Sequence, residues 1–281
     1  MTIILKSSSS NLVSSTNSSG LSPAKPKVAA IVPAYNEAGR IGDVLRTIAA
    51  SELVDEIFVV TDGCTDSTAE EARGVAARIE ELFHRPLSLK VFELKQNLGK
   101  GGAMTYAALR TEAEVLLFLD ADLIGLRPEQ VNALLEPMLV EDAGERADMT
   151  LGLFGTARGG AFGWWLAYCH RCYAALTGQR AIRRDVFLAV PNLTRSRFGV
   201  EMAITRNVNA WKLNVVGVTL NGITHPIKEE KIGVLKGMRH RLNMYGEIWF
   251  YVLKDNIRNS VSESHRHQTL KMRKRFGTDS E

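Results

Sequence analysis

Two carboxylates one residue apart, Asp120 and Asp122, follow directly on the apolar run Val115 to Leu119. A buried strand ending there would turn both acids into a common cleft. Hard oxygen ligands in that position can hold a divalent cation against a diphosphate. An acidic pair is also an ordinary turn or helix-capping feature, so its weight comes from its surroundings. Three more polar clusters stand in the same relation to an apolar run. They are Pro33 to Glu37 after Val28 to Val32, Asp62 after Glu56 to Val60, and Asn97 to Gly102 after Leu87 to Leu94. Loops carry function more often than cores, and four such clusters at strand ends suggest one shared site.

The elements that must position these clusters can be read from the pattern between them. Val28 to Val32 and Val115 to Leu119 are continuous apolar runs and read as buried strands, Glu56 to Val60 reads as a second strand, and Leu87 to Leu94 alternates well enough for a third. Helical patterns separate them: Ala38 to Ala50 with Ile41, Leu45 and Ile48 on one face, Ser67 as a cap for a helix to about Leu82, and Gly101 to Thr111. Pro128 opens another helix. Repeated strand–helix–strand units imply a mostly parallel α/β sheet with helices on both faces, and such sheets bind ligands outside the carboxyl ends of their strands. The second half is less regular. Met149 to Phe154 and Leu213 to Val218 read as strands, Phe162 to Leu176 and Gly199 to Trp211 as helices.

The chain has 281 residues, a formal net charge of +4 and an ordinary 45% hydrophobic content. The charge is mild and suits a protein that binds diphosphates or rests on anionic lipid. Cys64, Cys169 and Cys172 are too few for a disulfide framework, which points to a reducing, cytoplasmic setting, with Cys169 and Cys172 as packed helix thiols. No run of 18 apolar residues predicts a spanning helix. There is no P-loop, no dinucleotide fingerprint and no nucleic-acid motif. The expected organisation is a disordered tail over 1–26 and a catalytic domain over 27–231, with a nucleotide-binding half (27–125) and an acceptor half (126–231). An amphipathic helical extension over 232–259 and a flexible basic tail over 260–281 would follow.

Pro33-Ala34-Tyr35-Asn36-Glu37, Asp62-Gly63-Cys64-Thr65-Asp66, Gly99-Lys100-Gly101 and Asp120-Ala121-Asp122 occur in that order. In this order and spacing the chain resembles the family 2 glycosyltransferases of the GT-A, Rossmann-like fold over about residues 27–253. The resemblance implies a nucleotide-sugar pocket lined by Pro33, Tyr35 and Glu37, with Glu37 near the ribose. Asp62 would read the base; Thr61 stands where many relatives have a second acid. A lysine at the Lys100 position approaches the nucleotide in some relatives, including the glucosyl-phosphoglycerate synthases. Asp122 is the implied direct metal ligand, with Asp120 a ribose or water-mediated contact at the same magnesium or manganese ion.

Three later segments extend the resemblance. Thr177-Gly178-Gln179-Arg180 is similar to the S-G-x-R segment of the polyprenyl-phosphate sugar transferases, placing Gly178 at the nucleotide-sugar and Arg180 at a phosphate. Glu201 matches an acceptor-side acid, the base if the reaction inverts and an acceptor or sugar ligand if it retains. His225 lies in a segment whose late histidine completes the metal site in relatives. Together these imply transfer from a nucleotide-diphosphate sugar, UDP-linked by resemblance, to an anionic or lipid-linked phosphate acceptor, which Arg180, Arg183 and Arg184 would suit. A sugar nucleotidyltransferase is the alternative enzyme, although Pro33 to Glu37 replaces its glycine-rich segment; an inactive nucleotide-sugar binding module is the non-enzymatic one. Between Val234 and Lys254, Leu235, Met238, Leu242, Tyr245, Trp249 and Phe250 recur among basic residues. That stripe serves either peripheral membrane contact, packing on the catalytic domain, or a homodimer interface.

Overall fold

Three of the four runs become strands covered on both sides, while the fourth, Ser88–Leu94, is a half-exposed strand at the sheet edge. In β2 (Val28–Ala34), Val28, Ala30 and Val32 face one core while Ala29 and Ile31 face the other. β3 (Glu56–Asp62) and β5 (Val115–Phe118) divide in the same way, with Ile57, Val59 and Leu117 on the first side and Phe58, Val60, Leu116 and Phe118 on the second. This two-sided burial explains why their sequences lack a polar alternation. The structure, a computed structural model, describes residues 4–5, 25–142, 144–154, 177–195, 199–224, 271–272 and 275–276.

α1 (Ile41–Ala49), α2 (Thr68–Ala76) and α5 (Pro128–Leu135) cover the first face, and α4 (Lys100–Ala108), α6 (Arg184–Ala189) and α7 (Val200–Ala210) the second. α3 (Ile79–Phe83) follows α2, so the single helix expected from Ser67 to about Leu82 is two helices. Ser67 stands at the N-cap of α2 without a side-chain cap bond; the neighbouring Asp66 accepts from Thr68 N at 3.1 Å instead. Pro128 does open α5, where the missing proline N–H costs nothing.

The remaining strands are β1 (Ile4–Leu5), β4 (Ser88–Leu94), β6 (Met149–Phe154), β7 (Arg180–Arg183) and β8 (Val215–Leu220). The sheet order is β1-β8-β6-β7-β5-β2-β3-β4, parallel everywhere except at β7, which runs against both neighbours. The expected mostly parallel α/β sheet is therefore present, with one antiparallel strand inserted where the pattern gave none. At its edge, Ile4–Leu5 pairs with Val216 and Gly217, so these two residues join the sheet rather than a detached tail. Met272 and Phe276, in the segment expected to fray, pack against the second core, Phe276 lying 5.5 Å from Trp211. The expected helix over Phe162 to Leu176, the Cys169–Cys172 pair and the 232–259 extension lie outside the described residues. No helix among the described residues is long and apolar enough to cross a membrane.

Candidate active site

β2, β3 and β4 end together, since Ala34 pairs with Thr61 and Asp62 with Leu94. The loops that follow are stitched to each other. Asn36, at a φ of 55°, accepts from Thr65 N through Oδ1 at 2.8 Å, and its own N–H donates to Cys64 Sγ at 3.3 Å. Glu37 N donates to Thr68 Oγ1 at 2.9 Å, and Ala38 N to Asp66 Oδ2 at 3.2 Å. Glu71 takes Gly39 N at 2.6 Å and Gly42 N at 3.1 Å. Burial alone would raise the Asp66 carboxyl, but hydrogen bonds from Thr68 and Ala38 outweigh it and hold the group below the usual carboxylate value. These amides are the donors with which a helix N-terminus binds an anion. Here they are already taken by Thr68, Asp66 and Glu71.

Pro33 is half-buried at the end of β2, and Tyr35 is exposed beside it. Glu37 forms an ion pair with Arg40 at 2.9 Å. Asp62 is buried; its Oδ1 accepts from Leu98 N at 2.6 Å, and Asn97 Nδ2 donates to the Asp62 carbonyl at 3.1 Å. The acid expected to read a base thus also braces the loop that delivers Lys100 to the first turn of α4.

Lys100 is the centre of the site. Its Nζ lies 2.6 Å from Asp120 Oδ1 and 2.6 Å from Glu201 Oε1, joining the end of β5 to the first turn of α7. Burial by itself would lower the ammonium's pKa, but the two carboxylates more than offset that and raise it above the ordinary lysine value. Gln179 Nε2 donates to the other Asp120 oxygen at 2.9 Å. A β-carbon on Gly178 would lie 2.4 Å from Asp120 Oδ2 and 2.7 Å from Lys100 Nζ, so the chain passes against the pair with no room for a side chain.

Arg180 departs from expectation. It is fully buried, and its guanidinium donates to the Glu201 carbonyl at 3.2 Å, to Thr205 Oγ1 at 3.3 Å and to the Thr177 carbonyl. Burial lowers its pKa to about 10, with Glu201 and Asp120 opposing. The residue read as a phosphate ligand instead clamps the 177–179 segment to α7. Arg183 and Arg184 are further removed. β7 is antiparallel, so Arg183 pairs with Val115 at the opposite end of β5 from Asp120. There Arg183 binds Asp148 and Asp185, each at 2.8 Å, and Arg184 Nε donates to the Ala108 carbonyl at 3.0 Å. A cavity of about 460 Å³ at that end, lined by Glu114, Asp148, Arg183 and Arg184 among others, is not part of the site.

Asp122 is half-buried just past Asp120. Two residues on, Ile124 and Thr224 exchange both backbone hydrogen bonds at 3.0 Å, and Gln130 Nε2 holds the Asn221 carbonyl at 2.6 Å. The segment leading to His225 is therefore fastened beside the acidic pair; His225 itself lies outside the described residues. Asp120 and Asp122 are hard oxygen donors and fit magnesium or manganese. Asp120 has one oxygen bonded to Lys100 and the other to Gln179. With Asp120, Asp122 and Glu201 against Lys100 and Arg180, carboxylates exceed cations by one before any metal binds, which favours a divalent ion next to an anionic ligand.

The site thus gathers Lys100, Asp120, Gly178 and Glu201, places Asp122 alongside, and excludes Arg183 and Arg184. Sequence reasoning missed Asn36, Thr68 and Glu71, which fix the first loop, and Gln179, which holds Asp120. Asn36 and Thr68 carried a usable signal, since side chains of these types satisfy loop amides.

The family model for glycosyl transferase family 2 matches residues 29–208. Glucosyl-3-phosphoglycerate synthase of Mycolicibacterium smegmatis is 36% identical over 117 residues, 41% of this chain and 37% of that protein. Dolichyl-phosphate beta-glucosyltransferase of Drosophila melanogaster is 33% identical over 105 residues, 34% of this chain and 31% of that protein. The chain thus matches about a third of the length of these curated relatives. Among solved structures, glucosyl-3-phosphoglycerate synthase of Mycobacterium tuberculosis with Mn2+, uridine diphosphate and glucosyl-3-phosphoglycerate superposes with a TM-score of 0.56 at 23% identity. That superposition covers 79% of this chain and 80% of the other, and shows that the GT-A fold is shared.

Proposed function

This chain belongs to glycosyl transferase family 2, and on that footing we propose that it transfers a hexose from a UDP-sugar to a phosphate-bearing acceptor with help from a magnesium or manganese ion. The observation that carries the reading is the ammonium of Lys100 shared between Asp120 and Glu201, beside Asp122, at the carboxyl edge of the sheet. With the amides around the start of α1 already taken, the diphosphate would be received beside Lys100 rather than at that helix N-terminus. The relatives' names support the ligands: one structure is a complex with Mn2+ and uridine diphosphate, and both curated relatives are named for phosphate-bearing acceptors.

In this reading Asp122 and His225 hold the cation, and Asp120 acts through the network of Lys100 and Gln179. The bound cation would supply charge stabilisation to the departing diphosphate, where negative charge grows in the transition state. Lys100 adds a positive charge on the same side. Pro33, Tyr35, Glu37 and Asp62 form the nucleoside end of the pocket, with Gly178 giving the donor close backbone approach. One carboxylate oxygen of Glu201 is held 2.6 Å from the Lys100 ammonium, a contact that oxygen would have to give up to accept a proton. Glu201 therefore suits orientation of an acceptor or sugar hydroxyl better than proton abstraction. Arg180 supports Glu201 from behind. The test is calorimetric titration of UDP-glucose with and without Mn2+, followed by an acceptor screen with 3-phosphoglycerate and a polyprenyl phosphate. Metal-dependent donor binding is expected; no binding of any nucleotide-diphosphate sugar with metal present overturns the reading.

A further inference from the structure

Asp120 is gripped by two donors of different character. Lys100 reaches Oδ1 with a charged, flexible side chain that an incoming phosphate can attract. Gln179 reaches Oδ2 with a neutral amide, and it is fully buried. The orientation of that amide is set by a short relay. Gln179 N donates to Thr177 Oγ1 at 3.3 Å, so the hydroxyl accepts from the main chain and spends its proton on Gln179 Oε1 at 2.9 Å. With its oxygen so occupied, the amide must present its nitrogen to Asp120. The backbone behind is fixed as well: Gly152 N donates to the Gln179 carbonyl at 2.8 Å, one step beyond the β6–β7 ladder.

We infer that Gln179 is a positioning residue for the donor site, holding the Asp120 carboxylate in one rotation when a bound diphosphate competes for Lys100, and that Thr177 acts through it by fixing the amide's orientation. The inference rests on the proposed UDP-sugar reading. A hydrogen bond to a charged group in a buried setting is worth roughly tenfold to hundredfold in an equilibrium or rate. Gln179→Leu keeps the approximate volume and deletes the amide. It should lower kcat by roughly tenfold or more and weaken Mn2+-dependent UDP binding in parallel. Thr177→Val frees the amide to turn and should give a smaller loss in the same two quantities, while Thr177→Ser restores both. Because Thr177 reaches Asp120 only through the amide, Thr177→Val should add nothing to Gln179→Leu in kcat or UDP–Mn2+ affinity, while the loss of its bond from Gln179 N shows in the melting temperature.

The measurements are kcat, KM and calorimetric UDP–Mn2+ affinity on the folded full chain, with thermal melting run alongside. Should Gln179→Leu not fold, Thr177→Val against Thr177→Ser still decides the matter. Wild-type kcat and UDP–Mn2+ affinity in Gln179→Leu, or in Thr177→Val, overturn the inference. Multiplying losses in the double variant overturn it too, since they mean that the two residues act separately. A wild-type protein that binds no UDP with Mn2+ defeats the underlying functional reading instead, and this control is read first.

Discussion

Adding one methyl group at Gly178 is the sharpest perturbation the site offers. The backbone there lies outside the left-handed region, so alanine meets no conformational penalty and the effect is steric. Its β-carbon would stand 2.4 Å from one Asp120 oxygen, 2.7 Å from the other and 2.7 Å from Lys100 Nζ. Ordinary contact begins at 3.4 Å, so the carboxylate must withdraw by about 1 Å. A displacement of that size at a reacting centre costs on the order of hundredfold in rate, about 2.7 kcal/mol of barrier. Stability should fall by about 1 kcal/mol, the low end for overpacking, because the atoms in the way are side-chain ends rather than backbone. That corresponds to roughly 2–4 °C in melting temperature for a domain of this size. The assay is kcat/KM for the donor beside a thermal melt, with Gly74→Ala as the control, since nothing lies within 4 Å of a β-carbon there. Wild-type kcat/KM in Gly178→Ala, or a rate loss no larger than the unfolded fraction explains, refutes the reasoning.

The other predictions follow from the same geometry. On the proposed reading, Asp122→Asn should cut metal-dependent UDP binding at least tenfold, checked by calorimetry, because it removes the charge of a hard oxygen ligand while keeping its shape. Arg180→Met should destabilise by about 1–3 kcal/mol in urea melts, since the buried Thr177 carbonyl loses its guanidinium donor while the Glu201 carbonyl keeps Thr205 Oγ1, and the folded fraction keeps its acceptor KM; a selective rise in that KM would restore the phosphate role. Lys100 has a raised pKa in the fold. Its stabilising contribution is therefore fully present below the unfolded value of about 10.4 and is lost only as pH rises through the still higher folded value. The difference in unfolding free energy between wild type and Lys100→Met should accordingly be flat between about pH 7 and 9, and a slope in that window counts against the ion-pair assignment.

The parts of the fold legible in the sequence are those where burial and residue type agree. Val28 to Val32 and Val115 to Leu119 are apolar throughout and buried on both faces, so strand, face and carboxyl end all follow from the run itself. The site acids at those ends were legible for the same reason. Arg180-Ala181-Ile182-Arg183 failed because two of its four residues are arginines, and charge suggested a surface ligand. Nothing in the local pattern indicates that Arg180 finds three acceptors in the interior, because Glu201 and Thr205 arrive from a helix some twenty residues later. The readings of Arg183 and Arg184 failed with it. Three residues of extended chain span roughly 10 Å, enough to carry them from the catalytic edge to the opposite one. Ser67 failed more narrowly: it stands at the N-cap with no side-chain bond, while Asp66, one residue earlier, accepts from the Thr68 amide.

The direction of β7 explains why the site needs this misread segment. A parallel strand at that place in the sheet would bring its last residues to the catalytic edge and continue into a loop. β7 runs the other way, so the residues that precede it, Thr177 to Gln179, are the ones delivered there. Its register pairs Arg180 with Phe118 and Ala181 with Leu117. Continued one step and then another, the same register sets Gln179 against Leu119 and Gly178 against Asp120, in keeping with the 2.4 Å approach at Gly178. A slip of one residue would turn the Arg180 side chain to the other face of the sheet, away from Glu201 and Thr205. It would also bring a side-chain-bearing residue opposite Asp120, where there is no space for one. The buried arginine and the glycine therefore enforce the same register from its two sides, one by what it bonds in the core and the other by what it leaves room for at the site.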